Sequence, residues 1–135
     1  MRRCLDTTFL SDLIRGKADA MGAVQKWDAA GDELVTTAVN FFEVRVGIGR
    51  ESPSTARELA KAWKRVAVRI ECAHVSADAA DVAAAAQVRL MGRGRTAPLA
   101  DLFVAATALA SGCQVIVTRD ETDFRSIGLL RVEPH

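Results

Sequence analysis

Gln114-Val115-Ile116-Val117-Thr118 is the stretch on which the fold turns. Three consecutive β-branched residues without polar alternation describe a strand buried on both faces. Such strands belong to parallel sheets covered by helices. Before it lies an apolar segment at helical spacing, Leu99–Ala110, opened by Pro98 and stopped by Gly112. After it comes a turn with Asp120 and Asp123, then Phe124–Ile127, then a last short strand near Leu130–Val132.

The same alternation runs back to the N-terminus. Arg2–Leu5 reads as a short strand ending at Asp6, and Thr7 and Thr8 can cap a helix carrying Phe9, Leu10, Leu13 and Ile14. Ala18–Ala30 is a second helix, Leu34–Thr36 a brief strand, and Asn40–Gly47 a third helix. Pro53 marks the start of an amphipathic helix over Ser54–Val66. Val68–Val75 holds strand-like residues without a defined strand, and Ser76 caps a long helix over Ala77–Leu90. A basic loop, Gly92-Arg93-Gly94-Arg95, precedes Pro98. Short strands between long helices imply an α/β structure with a mainly parallel sheet.

Composition bounds the rest. The 135 residues, 50% hydrophobic and 26% charged, fit one globular domain over residues 1–135. The net charge of +1 excludes a basic coat, although 14 of the 18 cationic residues are Arg, the side chain best suited to phosphate. Aromatic content of 5% with no Tyr argues against a platform for stacking bases. Cys4, Cys72 and Cys113 are far apart and form no C-x-x-C pair, which argues against structural zinc and a disulfide framework. The first residues hold no apolar signal core, and no apolar run reaches the ~18–20 residues of a membrane helix. A cytoplasmic protein without membrane contact is expected.

Ligands of open parallel sheets bind beyond the carboxyl ends of the strands. Asp6 and Asp120 lie at two such ends, with Asp123 three residues after Asp120. Glu43 and Asp101 are embedded in apolar helical sequence. Each acid has a plain structural role open to it: Asp6 as a helix cap, Asp101 as a complement to a helix dipole, Asp120 and Asp123 as turn residues. Gathered in one cleft they would repel each other, and a divalent cation would remove that cost. Oxygen-only ligands select hard ions such as Mg²⁺ or Mn²⁺, which activate water and hold phosphate oxygens.

Four blocks give the chain a family resemblance. These are Leu5-Asp6-Thr7-Thr8-Phe9-Leu10, Asn40-Phe41-Phe42-Glu43-Val44-Arg45-Val46-Gly47, Pro98-Leu99-Ala100-Asp101-Leu102-Phe103-Val104-Ala105-Ala106 and Val117-Thr118-Arg119-Asp120-Glu121-Thr122-Asp123-Phe124. In this order the chain resembles the PIN-domain ribonucleases, most closely the VapC toxins of type II toxin–antitoxin systems, over essentially its whole length. The resemblance implies a three-layer PIN-like α/β fold with a short, mainly parallel sheet flanked by helices. It implies an endoribonuclease toxin that needs Mg²⁺ or Mn²⁺, neutralised by a cognate VapB-like antitoxin and commonly homodimeric. The catalytic, metal-binding acids carry over to Asp6, Glu43, Asp101 and Asp120, with Asp123 as a fifth ligand candidate; many relatives have Asn where Asp120 stands. Thr118, Arg119, Arg45, Arg93 and Arg95 are the candidates for contact with RNA.

Two other readings compete. A non-catalytic RNA- or partner-binding domain on the same fold has no use for mutually repelling acids. Other acid-pocket folds fit poorly: a haloacid-dehalogenase-type phosphatase needs an Asp where Thr8 stands, and a receiver domain needs a Lys later than Lys64. Phe9, Ile14, Met21, Trp27, Phe41 and Phe42 exceed what one helix face needs, so some are expected to line a groove for an antitoxin helix.

Overall fold

The computed structural model describes all residues 1–135. Its strands are β1 (Arg2–Leu5), β2 (Glu33–Thr37), β3 (Glu71–Ala73), β4 (Val115–Val117) and β5 (Arg131–Glu133). They form one sheet in the order β3-β2-β1-β4-β5. Every neighbouring pair is parallel, so the sheet expected to be mainly parallel is parallel throughout. The helices are α1 (Thr7–Ile14), α2 (Ala18–Ala29), α3 (Ala38–Gly49), α4 (Pro53–Ala67), α5 (Ala77–Met91), α6 (Leu99–Ala110) and α7 (Glu121–Ile127).

The period-2 geometry of the strands divides the core in two. Cys4 pairs with Ile116 across β1 and β4, and both face a core shared with α5, α6 and α7. One residue on, Leu5 pairs with Val117, and both face a second core shared with α1, α2, α3 and α4. This is the three-layer arrangement. On the first face, Ala79, Ala83 and Ala86 of α5 and Ala105, Ala106 and Ala108 of α6 are buried in one cluster. Side chains this small let two helices approach closely. That packing accounts for the alanine-rich sequence around Asp81.

Element ends depart from the sequence reading where local signals are weak. The strand within Val68–Val75 is only Glu71–Ala73, because α4 runs on to Ala67 and Val68 is left 84% exposed. Phe124–Ile127 is the second half of a helix that starts at Glu121. Helix α3 starts two residues before Asn40, at a capping box in which the Thr37 side chain accepts from the Asn40 N–H and the Asn40 side chain accepts from the Thr37 N–H.

The chain passes from β1 to β2 to β3 on one side of the sheet, then crosses to β4 on the other side of β1. The carboxyl ends of β1 and β4 therefore flank the topological switch point, where open α/β sheets form their binding crevice. The crossing is tight: the Asp6 N–H donates to the Val117 carbonyl at 3.0 Å. No helix is long and apolar enough to cross a membrane.

Ile116 is fully buried at the middle of β4. Ile116→Ala is expected to cost roughly 2–5 kcal/mol through lost burial and the cavity left behind. Urea denaturation should show a lowered midpoint with an unchanged slope.

Candidate metal-binding active site

Asp6 occupies the N-cap position of α1 but makes no side-chain capping bond. Both of its carboxylate oxygens are taken from elsewhere. The Asn40 Nδ2 amide donates to Oδ1 at 3.0 Å, and the Thr118 hydroxyl donates to Oδ2 at 2.6 Å. Burial pushes Asp6 above the ordinary aspartate range and nearby Glu43 adds to this, while the donors oppose it. Glu43, on α3, accepts from the Thr7 hydroxyl at 2.8 Å.

Asp101 lies in the first turn of α6, Asp120 is the N-cap of α7, and Asp123 lies in the first turn of α7. One oxygen from each of these three acids falls within 4.8 Å of the others. Burial first, then the charges of Asp120, Asp6, Asp123 and Glu43, push Asp101 up to about 7. Asp120 is raised too, chiefly by burial and then by Asp123. All five acids expected from the sequence thus converge on one site. The positive ends of α1, α6 and α7 point toward it, which favours negative charge there.

No cationic side chain pairs with any of the five. At the amino end of the sheet, by contrast, Arg2 pairs with Glu33 and Glu71, and Arg3 with Asp32. Arg119, beside Asp120 in sequence, turns its guanidinium onto Asp12 at 2.9 Å. Lys17 reaches the same Asp12 at 3.0 Å. The acid cluster therefore offers oxygen ligands alone and holds more negative charge than the protein around it offsets. Oxygen ligands of this kind suit a hard divalent cation.

The remaining expectations divide. Thr118 is corrected as an RNA contact: it is completely buried, its proton is committed to Asp6, and its oxygen accepts from the Asp120 N–H at 2.9 Å. Arg45, Arg93 and Arg95 are exposed, and Arg119 is half exposed despite its pairing. The sequence reading missed Asn40, whose polar side chain is wholly buried beside Asp6. Its position three residues before Glu43 was the only available signal, and that spacing serves equally for a helix cap.

The apolar groove lies away from the acids. A cavity of about 610 Å³ is walled by Leu13, Ile14, Met21, Val24, Leu34 and Ile70, with Arg65 and Arg69 also lining it. Trp27 and Phe9 are corrected as groove residues: their rings pack against each other at a tilt of 45°, centroids 5.3 Å apart, inside the core. Phe41 packs edge-on against Trp63 at 4.9 Å, while Phe42 is exposed on the far side of α3. Met21 and Ile14 keep their expected place.

The sequence profile of the PIN domain matches residues 3–129. The chain belongs to the PIN-domain family. No curated protein sequence matches it. Among solved structures it is similar to VapBC2 from Rickettsia felis bound to a promoter DNA fragment, with TM-score 0.87, 18% identity, and 100% and 99% of the two chains covered. It is also similar to VapBC-5 from Mycobacterium tuberculosis, with TM-score 0.69, 27% identity and 98% and 96% coverage. A third neighbour is the Sarcin-Ricin loop cleaving toxin VapC20 of the same organism, with TM-score 0.63, 23% identity and 98% and 99% coverage. PIN-domain nucleases generally use divalent metal ions, and the acid cluster of this PIN domain could hold one.

The raised Asp101 sets a pH signature for the metal-free PIN domain. Its carboxyl binds a proton more tightly folded than unfolded, so its contribution to stability is full near pH 4 and is lost as pH rises to about 7. His135, whose folded value is lowered by burial, acts in the opposite direction below about 6.5. The difference between Asp101→Asn and wild type isolates the aspartate. In chelator, the variant's melting temperature is expected to gain on wild type as pH rises from about 4 to 7. Mn²⁺ should then raise the wild-type melting temperature more than the variant's.

Proposed function

We propose that this PIN domain is a VapC-type toxin, an endoribonuclease that hydrolyses RNA phosphodiester bonds with Mg²⁺ or Mn²⁺. The observation that carries the reading is the convergence of Asp101, Asp120 and Asp123 within 4.8 Å, with Asp101 raised to about 7 and no Arg or Lys side chain paired with them. Asp6, Glu43, Asp101 and Asp120 would hold the ion, with Asp123 beside them. The chemistry supplied by such an ion is polarisation of a phosphate oxygen and a more acidic bound water. The chain's own groups set the stage: Thr118 and Asn40 hold Asp6, and Thr7 holds Glu43. Arg45, Arg93, Arg95 and the free edge of Arg119 would meet flanking phosphates. The similarity to a toxin described as cleaving the Sarcin-Ricin loop supports an RNA substrate.

The partners follow from surfaces. Several structural neighbours are VapBC toxin–antitoxin assemblies, and the groove between α1, α2 and α4 has the apolar walls that an amphipathic antitoxin helix needs. Arg65 there favours an acid on that helix, while Arg69 is already paired with Asp28 of the groove wall at 3.2 Å. Phe42 and Val46 on α3 and Leu99 on α6 expose apolar side chains that suit a second copy of the chain. An RNA substrate and an antitoxin partner would place the protein in the cytoplasm. A non-catalytic binding domain on the same fold is disfavoured, because binding alone gains nothing from a cluster of unpaired acids.

RNA cleavage with added Mg²⁺ or Mn²⁺ tests the reading. Wild type should cut, and Asp6→Asn and Asp101→Asn should each lose more than about a hundredfold, beyond what loss of a ligand's supporting partner costs. Equal cutting by all three proteins, or none with either metal, would sink it. Met21→Glu should leave cleavage intact while weakening inhibition by the antitoxin.

A further inference from the structure

We propose that Asn40 is a positioning residue that sets the direction of a hydrogen-bond relay through the acid site, orienting Asp6 directly and Glu43 through Thr7. The proposal rests on the reading that Asp6 and Glu43 hold a divalent cation.

The direction is fixed at one end by the backbone. The Thr37 N–H can only donate, and it donates to Asn40 Oδ1 at 3.3 Å. The Thr37 hydroxyl reaches the same oxygen at 2.7 Å. The carbonyl side of the Asn40 amide must therefore face β2, and its nitrogen must face the acids. Nδ2 has two protons and two partners: Asp6 Oδ1 at 3.0 Å and the Thr7 hydroxyl oxygen at 3.0 Å. Thr7 Oγ1 thus accepts from Asn40, and its own proton is free for Glu43 Oε1 at 2.8 Å. One buried amide in this way carries a donor from the end of β2 to two acids on two different elements.

A second branch closes on the other side of Asp6. Thr118 accepts from the Asp120 N–H and donates to Oδ2. With one donor on each oxygen, the Asp6 carboxylate cannot rotate freely, and its remaining lone pairs stay available to a cation. Asn40 is completely buried, so water has little room to replace it. Neither Asp, which has no donor when ionised, nor Leu, which has no polar atom, can supply the two protons. Supporting partners of this kind orient metal ligands and typically change affinity by roughly 10–100-fold when removed.

The test is Mn²⁺ binding to the full chain, read from the electron paramagnetic resonance of free Mn²⁺. Asn40→Leu and Thr7→Val should each weaken binding by roughly 10–100-fold. The double variant should be no worse than Asn40→Leu alone, because Thr7 acts downstream of it. Thr37→Val removes the hydroxyl half of the capping box but keeps the N–H that orients the amide. It should lower the melting temperature and leave Mn²⁺ affinity within about twofold, the order of error of such cycles. Wild-type affinity in Asn40→Leu, multiplying effects in the double variant, or equal weakening by Thr37→Val would overturn the proposal. If wild type itself binds no Mn²⁺, the metal reading fails, and the relay is judged on the metal-free protein by nuclear magnetic resonance. There the two Asn40 side-chain amide protons should be resolved and protected from exchange, with one shifted by Thr7→Val. A rapidly exchanging, averaged pair would overturn it.

Discussion

One parallel register governs this molecule: Leu5 beside Val117, with the Asp6 N–H bonded to the Val117 carbonyl. It brings the ends of two strands that are far apart in sequence to one point, and each end is followed by acid. Asp6 leaves β1 there, and Asp120 and Asp123 follow β4 there. Helices α3 and α6 then need only pack on the sheet to add Glu43 and Asp101. The site is a consequence of topology, and the cost of like charges held together falls on the switch point.

What holds those charges is dipolar rather than ionic. Three helix N-termini face the acids, and the direct donors to their side chains are neutral: Asn40, Thr118 and Thr7. Formal cations are directed elsewhere. Arg2 and Arg3 serve the amino end of the sheet, and Arg119 and Lys17 converge on Asp12. A salt bridge at the site would satisfy a carboxylate permanently. Hydroxyl and amide donors orient it and leave its charge exposed to something from outside. This division is what the proposed cation site needs and what a salt-bridged acid cluster would lack.

The sequence carried the fold because its strongest signals were also its buried ones. Val115–Val117 is central, covered on both faces, and reads as a strand by itself. Glu71–Ala73 is an edge strand with one polar and two small residues, so nothing in its pattern marks it; only pairing with β2 defines it. Asp6, Asp120, Glu43 and Asp101 stood out because each follows a strand or interrupts apolar sequence, whereas Asp123 was marked only by its spacing from Asp120 and by the family resemblance. Asn40 was not legible, since its meaning depends on the packing of β1 and α1 against α3, which no local pattern encodes. Which of the six apolar candidates line the groove was not legible either, and Trp27 and Phe9 fall in the core. Phe9 is one of four buried side chains of the short α1 and packs inward on Trp27, and hydrophobicity alone cannot tell that buried pair from the wall of a groove.

The charge balance then acquires a different meaning. Eighteen cations and 17 acids sum to +1, a value that by itself argues neither for nor against a polyanion. Five of the acids are drawn into one cluster. On the proposed reading a divalent cation offsets part of that cluster, and the surface left to face RNA is more basic than the total suggests. Arg93 and Arg95 are exposed in the loop that leads into α6, and Arg45 is exposed on α3, outside the acid cluster that forms the floor of the proposed site. Without the ion, a phosphate arriving at the floor would meet the cluster's repulsion. With it, the same acids become the means of holding the phosphate in place. On the proposed reading, a PIN domain with this division of charge couples RNA engagement to metal occupancy.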